Sequence, residues 1–252
     1  MAQINMSQRG GVRIIEIDNP QKRNAVTHVM ARDLLRKLKD ADADPATRAV
    51  VVTGKGGLAF SSGHDLNEAS MFDEEGDGDL AFDHPERMKT PVIAAISGHC
   101  HAAGLMLALS CDIRIADPSA RFRQPGAAFG MIPLGGQVAK LSRMLPPGRA
   151  KIFLLATPLI DGETATRWGM VDELVEGGGY LDRALQVAEA IAANSPRSIA
   201  CLKEGIDSLP FMDAQAQVSW EQETSDFLLT LPDAKEGAAA AREKRKPEFP
   251  DL

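Results

Sequence analysis

Cysteine is scarce in this chain, with three in 252 residues, at positions 100, 111 and 201. The number is odd and no two form a Cys-x-x-Cys pair. That argues against a disulfide scaffold and against a zinc site, and a reducing, cytoplasmic setting is expected. No apolar run approaches the ~20 residues of a membrane span. The opening MAQINMSQRG has no apolar core of a secretory signal. An excess of positive charge is also missing. With 28 Lys and Arg against 35 Asp and Glu, the net charge is −7. Neither nucleic acid nor an anionic membrane is therefore an expected partner, and an anionic substrate needs a local basic patch.

What is present is ordinary globular composition, 44% hydrophobic and 25% charged. The length suits one large α/β domain, or such a domain with a helical appendage. Short apolar runs at 12–18 (VRIIEID), 49–53 (AVVVT), 92–96 (VIAAI), 112–116 (DIRIA) and 170–175 (MVDELV) read as strands. Helical periodicity lies between and after them, at 26–42, 103–110, 136–145, 148–155, 161–168 and 180–193, with Val29, Met30, Leu34, Leu35 and Leu38 on one face of the first. Such alternation predicts an α/β fold with mainly parallel sheets. From residue 196 onward only helical pattern remains, at 197–208, 212–230 and 233–244. A core at 1–195 and a helical segment at 196–252 that packs on the core or on another copy are expected. Residues 70–86, acidic and Gly-containing, read as a mobile surface segment.

Two places share a design of apolar strand, small-residue turn and helix start: AFSSGHDLNEA at 59–69, and VIAAISGHCHAAGLMLALS at 92–110. The first amides of a helix have no partner inside it, and with the helix dipole they favour a negative oxygen. Two such elbows facing each other would make an oxyanion hole.

The ordered set IDNPQKRNAV, VVVTGKGGLAFSSGHDL, PVIAAISGHCHAAGLMLALSCDIRIAD, RFRQPGAAFGMIP and DAKEGAAAAREKRKPEF resembles the crotonase (enoyl-CoA hydratase/isomerase) superfamily over almost the whole chain. The resemblance implies a spiral of ββα units with a C-terminal helical segment that builds trimers or hexamers. An acyl-CoA thioester is then the substrate, with no separate cofactor. The backbone N–H groups of Ser62 and Ala103 match the oxyanion hole, while Lys22, Ala25, Phe60 and Lys244 match positions that hold CoA. Gly63, His64 and Asp65 border the first elbow.

The same resemblance marks an absence. Hydratases of the superfamily hold a water between two glutamates, and the matching positions here are Met106 and Gly126. A third acid position, used by some isomerases, is Leu134. Neither Met nor Gly transfers protons, so standard hydration is not expected; the chain is similar to a branch of hydratase-domain proteins lacking both glutamates. His101, two residues before Ala103, is the candidate substitute, with His64, His99, Cys100 and Glu68 also near. Asp65 and Glu68 also fit a helix-capping box, and Met106 fits a core helix or an acyl-pocket wall. The alternative to an enzyme is a protein that captures acyl-CoA without turning it over.

Overall fold

The computed structural model describes residues 2–65 and 81–251. Its larger sheet has six strands in the order β1 (Gln3–Arg9), β2 (Val12–Asp18), β3 (Ala49–Gly54), β5 (Val92–Ile96), β7 (Ile113–Ala116), β10 (Glu173–Leu174). Only the β1–β2 pair is antiparallel. The continuous apolar runs arise because both sheet faces are covered. Val50, Val52, Ala94 and Ile96 join the main core, whereas Val51, Ile93, Ala95 and Ile115 pack against Ala184, Leu185 and Ala188 of a helix at Tyr180–Ala192.

The core face is closed by α1 (His28–Ala43) through Met30, Ala31, Leu34, Leu38 and Ala41. Thr27 caps that helix by accepting from Met30 N–H at 3.2 Å. Val29, expected on the buried stripe, is 67% exposed. The strand expected at 170–175 shrinks to Glu173–Leu174.

The smaller sheet comes from strands too short for a periodic signal: β4 (Ala59–Ser61), β6 (His99–His101), β8 (Arg121–Arg123) and β9 (Ile160–Asp161), in that order. Within it, β4, β6 and β8 run parallel and β9 antiparallel. The helix α2 (Ala103–Ser110) follows β6 and is buried throughout, as its unbroken apolar sequence requires. Part of the segment expected to be mobile lies at 70–80, outside the described residues. Its described remainder is not a free surface: Ala81 and Phe82 are fully buried.

The elbow at β4 is locked to the turn after β2 by Asn24, which is fully buried. Asn24 adopts the left-handed conformation (φ 54°), which asparagine tolerates better than most residues. Its Nδ2 donates to the carbonyls of Ala59 (2.6 Å) and Lys55 (3.0 Å), and its Oδ1 accepts from Asn19 N–H (2.9 Å). Ser61 Oγ donates in turn to the Asn24 carbonyl at 2.9 Å. Asn24→Ala leaves these buried groups without partners and is expected to cost about 3 kcal/mol, at ~1–3 kcal/mol per unsatisfied group. In a chain of this size that lowers Tm by roughly 6–12 °C. A thermal melt within 2 °C of the parent removes Asn24 from this role.

The remaining helices are α3 (Gln137–Met144), α4 (Pro147–Leu155), α5 (Gly162–Trp168), α6 (Tyr180–Ala192), α7 (Pro196–Ser208), α8 (Ala214–Leu229) and α9 (Pro232–Glu243). The all-helical tail thus follows the sequence pattern. Among the described residues no helix is long and apolar enough to cross a membrane.

Candidate active site

The two elbows face each other across Gly63. With φ at +94°, Gly63 adopts a conformation that disfavours side chains, and a Cβ there would lie 3.0 Å from Ala103 N and 3.2 Å from Ala102 Cβ. Gly104 brings α2 equally close to β4, since a Cβ there would run into the Ser61 carbonyl. Ala102 itself is held at φ 51°, ψ −118°, a costly backbone conformation for alanine, and makes no side-chain cap. Its N–H donates to the Arg123 carbonyl and its carbonyl accepts from Met106 N–H. Ala103 is therefore the first helical residue, with an amide that the helix itself cannot satisfy.

At the first elbow the N–H expected as donor is already engaged. Ser62 N–H is committed to the Arg23 carbonyl at 3.0 Å, and Gly63 N–H to Ser61 Oγ at 3.1 Å. The backbone then bridges to Val26: Val26 N–H donates to the Gly63 carbonyl, and Asp65 N–H to the Val26 carbonyl. In such a parallel bridge the N–H of the middle residue, His64, points away from Val26.

The expected CoA-holding residues divide. Lys22 Nζ forms an ion pair with the buried Asp65 at 2.6 Å, with its side chain half exposed at the mouth of the elbow. Ala25 is buried nearby, its carbonyl accepting from Asn19 Nδ2 at 2.8 Å. Phe60 is 0% exposed and belongs to the core, so it has no surface to offer a ligand. Glu68, and with it the capping-box reading, lies outside the described residues.

The three positions where an acid could have stood converge on one loop. Met106, 2% exposed, packs on Gly135, where a Cβ would come within 2.8 Å of Met106 Cγ. Gly126 N–H donates to Gln124 Oε1 at 3.0 Å. Gln124 Nε2 donates to Gln137 Oε1 at 2.6 Å, and Gln137 Nε2 to the Leu134 carbonyl at 3.1 Å. Both glutamines are buried. The sequence reading missed this neutral amide pair. It ties together residues 126, 134 and 137 and places no acid among them.

These features have known counterparts. Residues 7–251 match the enoyl-CoA hydratase/isomerase family. The chain belongs to that family. It is 30% identical over 249 residues to the short-chain-enoyl-CoA hydratase of Clostridium acetobutylicum, covering 96% of this chain and 95% of that one. It is 34% identical over 246 residues to a probable enoyl-CoA hydratase of Rhizobium meliloti, covering 96% and 95%. Its fold superposes with a TM-score of 0.92 on the crystal structure of an enoyl-CoA hydratase from Mycobacterium tuberculosis H37Rv, 30% identical with both chains covered completely. The chain is thus an enoyl-CoA hydratase-like enzyme with the crotonase fold.

In this family member His101 lies on the face of β6 turned away from α2. Residues alternate across β6, and Cys100 points into the core, its Sγ 3.7 Å from the Gly104 carbonyl. His99 and His101 therefore share the opposite face of the small sheet, away from α2. Burial pushes the Cys100 thiol well above its usual range, which removes it as a nucleophile. A carboxylate that sequence reasoning missed is Asp83. It follows Phe82, whose ring packs edge-on against His64 at 4.9 Å, and its Oδ1 is buried without a hydrogen-bond partner. Burial pushes its carboxyl above the ordinary value.

Lys244 sits at the C-terminal end of α9 at φ 52°, and α9 packs on α8. The tail beyond it turns back to Arg48, which bonds the Phe249 carbonyl at 2.9 Å and Asp251 at 2.7 Å. Arg48 precedes β3, at the end of the sheet opposite the elbow after β4.

Proposed function

We propose that this enzyme binds an acyl-CoA thioester with the carbonyl oxygen between the Ala103 N–H and the His64 N–H, and stabilises an enolate-like state there. The observation that carries this reading is the closeness of the two elbows, such that a Cβ added at Gly63 would stand 3.0 Å from Ala103 N. Two amides directed at one oxygen oppose the charge that develops when a thioester enolises, an effect worth several kcal/mol in relatives of this chemistry, roughly 2.7–4 per donor. His64 replaces Ser62 as first donor because its amide is the one the Val26 bridge turns outward. Lys22 and Asp65 then flank the CoA moiety, with Gly63 close enough for a ligand backbone approach.

The chemistry beyond enolisation follows from Met106, Gly126 and Leu134. With a thioether, a hydrogen and an alkyl side chain at these positions, the chain falls in a branch without the hydratase glutamates, and water addition loses its acid and base. The exposed apolar residues of the C-terminal helices, among them Leu202, Ile206, Val218 and Phe227, support packing of that segment on other copies in a trimer or a hexamer. Lys244 would then serve a neighbouring copy's site.

Calorimetric titration with acetyl-CoA and octanoyl-CoA tests the binding step. Saturable heat with Kd in the micromolar range, about −8 kcal/mol, is the expected result. Absence of heat together with absence of competition between the two ligands overturns it. Binding without any detectable turnover of thioester assigns the alternative role, capture of acyl-CoA.

A further inference from the structure

The outer face of the small sheet carries a group of side chains that the thioester site does not use. The parallel register of β6 with β8 sets His99 opposite Arg121 and His101 opposite Arg123, so all four project from one face. The two imidazoles stand edge to face with centroids 4.9 Å apart. His99 Nδ1 and His101 Nε2 are both buried and lack a hydrogen-bond partner.

The arginines of this face are held by carbonyls instead of carboxylates. Arg121 Nη1 donates to the carbonyls of Pro118 (2.8 Å) and Ala120 (2.9 Å), and Arg123 Nε donates to that of Thr157 (3.0 Å). Arg23 acts on both imidazoles from the turn after β2. Among the described residues none of these three arginines forms an ion pair, in a chain whose net charge is −7. The carboxylate that the register sets nearest is Asp161, opposite Arg121, and it is engaged in capping α5 through Thr164 N–H at 2.8 Å.

We propose that His99, His101, Arg121 and Arg123, with Arg23 at the edge, form a binding site for a phosphate-type oxyanion that is taken up together with a proton. A tetrahedral dianion presents several acceptors to guanidinium and imidazolium donors, and supplies negative charge to a face whose registered carboxylate, Asp161, is engaged in capping α5. Without it, the imidazoles are kept neutral. Burial first, then the cations, lower His99, and burial, His99, Arg123 and Arg23 push His101 down to about 4, against a bond to the Arg121 backbone that raises it. A bound anion reverses the sign of the local field, so one of the two rings gains a proton from solvent and its orphaned nitrogen becomes a donor.

The ligand's phosphate could be free or part of CoA, and one experiment separates the two. The chain has five histidines, so their ring resonances can be followed by NMR and those of residues 99 and 101 assigned with His99→Gln and His101→Gln. Sulfate, whose charge is constant over this range, is titrated at pH 6 and pH 8 with sodium chloride of equal ionic strength as reference. The expected result is a saturable shift of both resonances with sulfate alone, at least fivefold tighter at pH 6, and at least tenfold weaker in Arg121→Gln/Arg123→Gln. Displacement of sulfate by CoA but not by pantetheine identifies a CoA phosphate as occupant; no displacement by either identifies a free oxyanion. Equal shifts with chloride, affinity independent of pH, or full retention in the double variant overturns the site. So does an absence of any shift, as would follow if a second copy covered the face.

Discussion

Crotonyl-CoA is expected to be hydrated by this enzyme at least ~10²-fold more slowly than the ~1–10³ s⁻¹ of ordinary enzymes, because a general acid and a general base contribute ~10²–10⁴ each. If the two absent groups acted independently the deficit reaches ~10⁴ or more, while groups working as a unit give the smaller figure. The surroundings of the two positions matter as much as their identities. Met106 is 2% exposed and pressed against Gly135, so the space of a carboxylate is filled by a thioether. At Gly126 a Cβ would stand 3.1 Å from the Met131 carbonyl and 3.4 Å from Gln124 Oε1, so the loop has closed over the missing side chain. Gln124 and Gln137 hold that closure with neutral hydrogen bonds, and an amide neither donates nor accepts a proton at neutral pH. Loss of the conjugated thioester absorbance measures the reaction directly. Turnover at ordinary rates would show that another group supplies the proton, and Asp83→Asn is the variant that then tests the half-buried carboxyl beside Phe82, whose Oδ2 pairs with Arg87 at 2.7 Å.

Much of this was legible in the sequence where residues repeat or stand in an ordered motif. The runs AVVV and VIAAI announced strands covered on both faces, and the opening of the tail at Pro196 coincides with the start of α7. Both elbows were visible as small-residue turns, and Ala103 emerged where expected, at the first position of its helix. The small sheet was not visible, because strands of two or three residues are too short for alternation to register. The engagement of Ser62 N–H was hidden for a similar reason. Which of three successive amides is turned outward depends on a bridge to Val26 and on the left-handed turn at Arg23 and Asn24, and neither is a local property of SSGH. The face on which His101 lies likewise became clear only once Cys100 was seen to point at the core. The Gln124–Gln137 pair could have been suspected from two polar residues flanking an otherwise apolar and Gly-rich loop, but their contact joins positions 13 apart.

Replacing Gly104 by alanine is expected to weaken acyl-CoA binding by roughly 10- to 100-fold, since a hydrogen bond to a charged oxygen is worth ~1.5–3 kcal/mol. Judged by helix propensity alone the change gains up to ~1 kcal/mol, since Gly104 is the second residue of α2. The packing reverses that sign. A Cβ there would run into the Ser61 carbonyl oxygen, with the Ser61 carbonyl carbon and Cβ both at 2.8 Å, and a backbone carbonyl cannot rotate away as a side-chain tip can. Either β4 or the start of α2 must move, and Ala103 N sits on the part that moves. Overpacking of this kind costs ~1–3 kcal/mol of stability, so the unfolding midpoint falls along with affinity. Gly148→Ala is the control, because Gly148 lies in α4 with nothing within 4 Å of its added Cβ. That variant should be at least as stable as the parent, by ~0.4–1 kcal/mol, and bind acyl-CoA unchanged. A folded Gly104→Ala protein that still binds octanoyl-CoA with parental affinity would separate binding from the apposition of the two elbows, and the thioester oxygen would have to be held elsewhere.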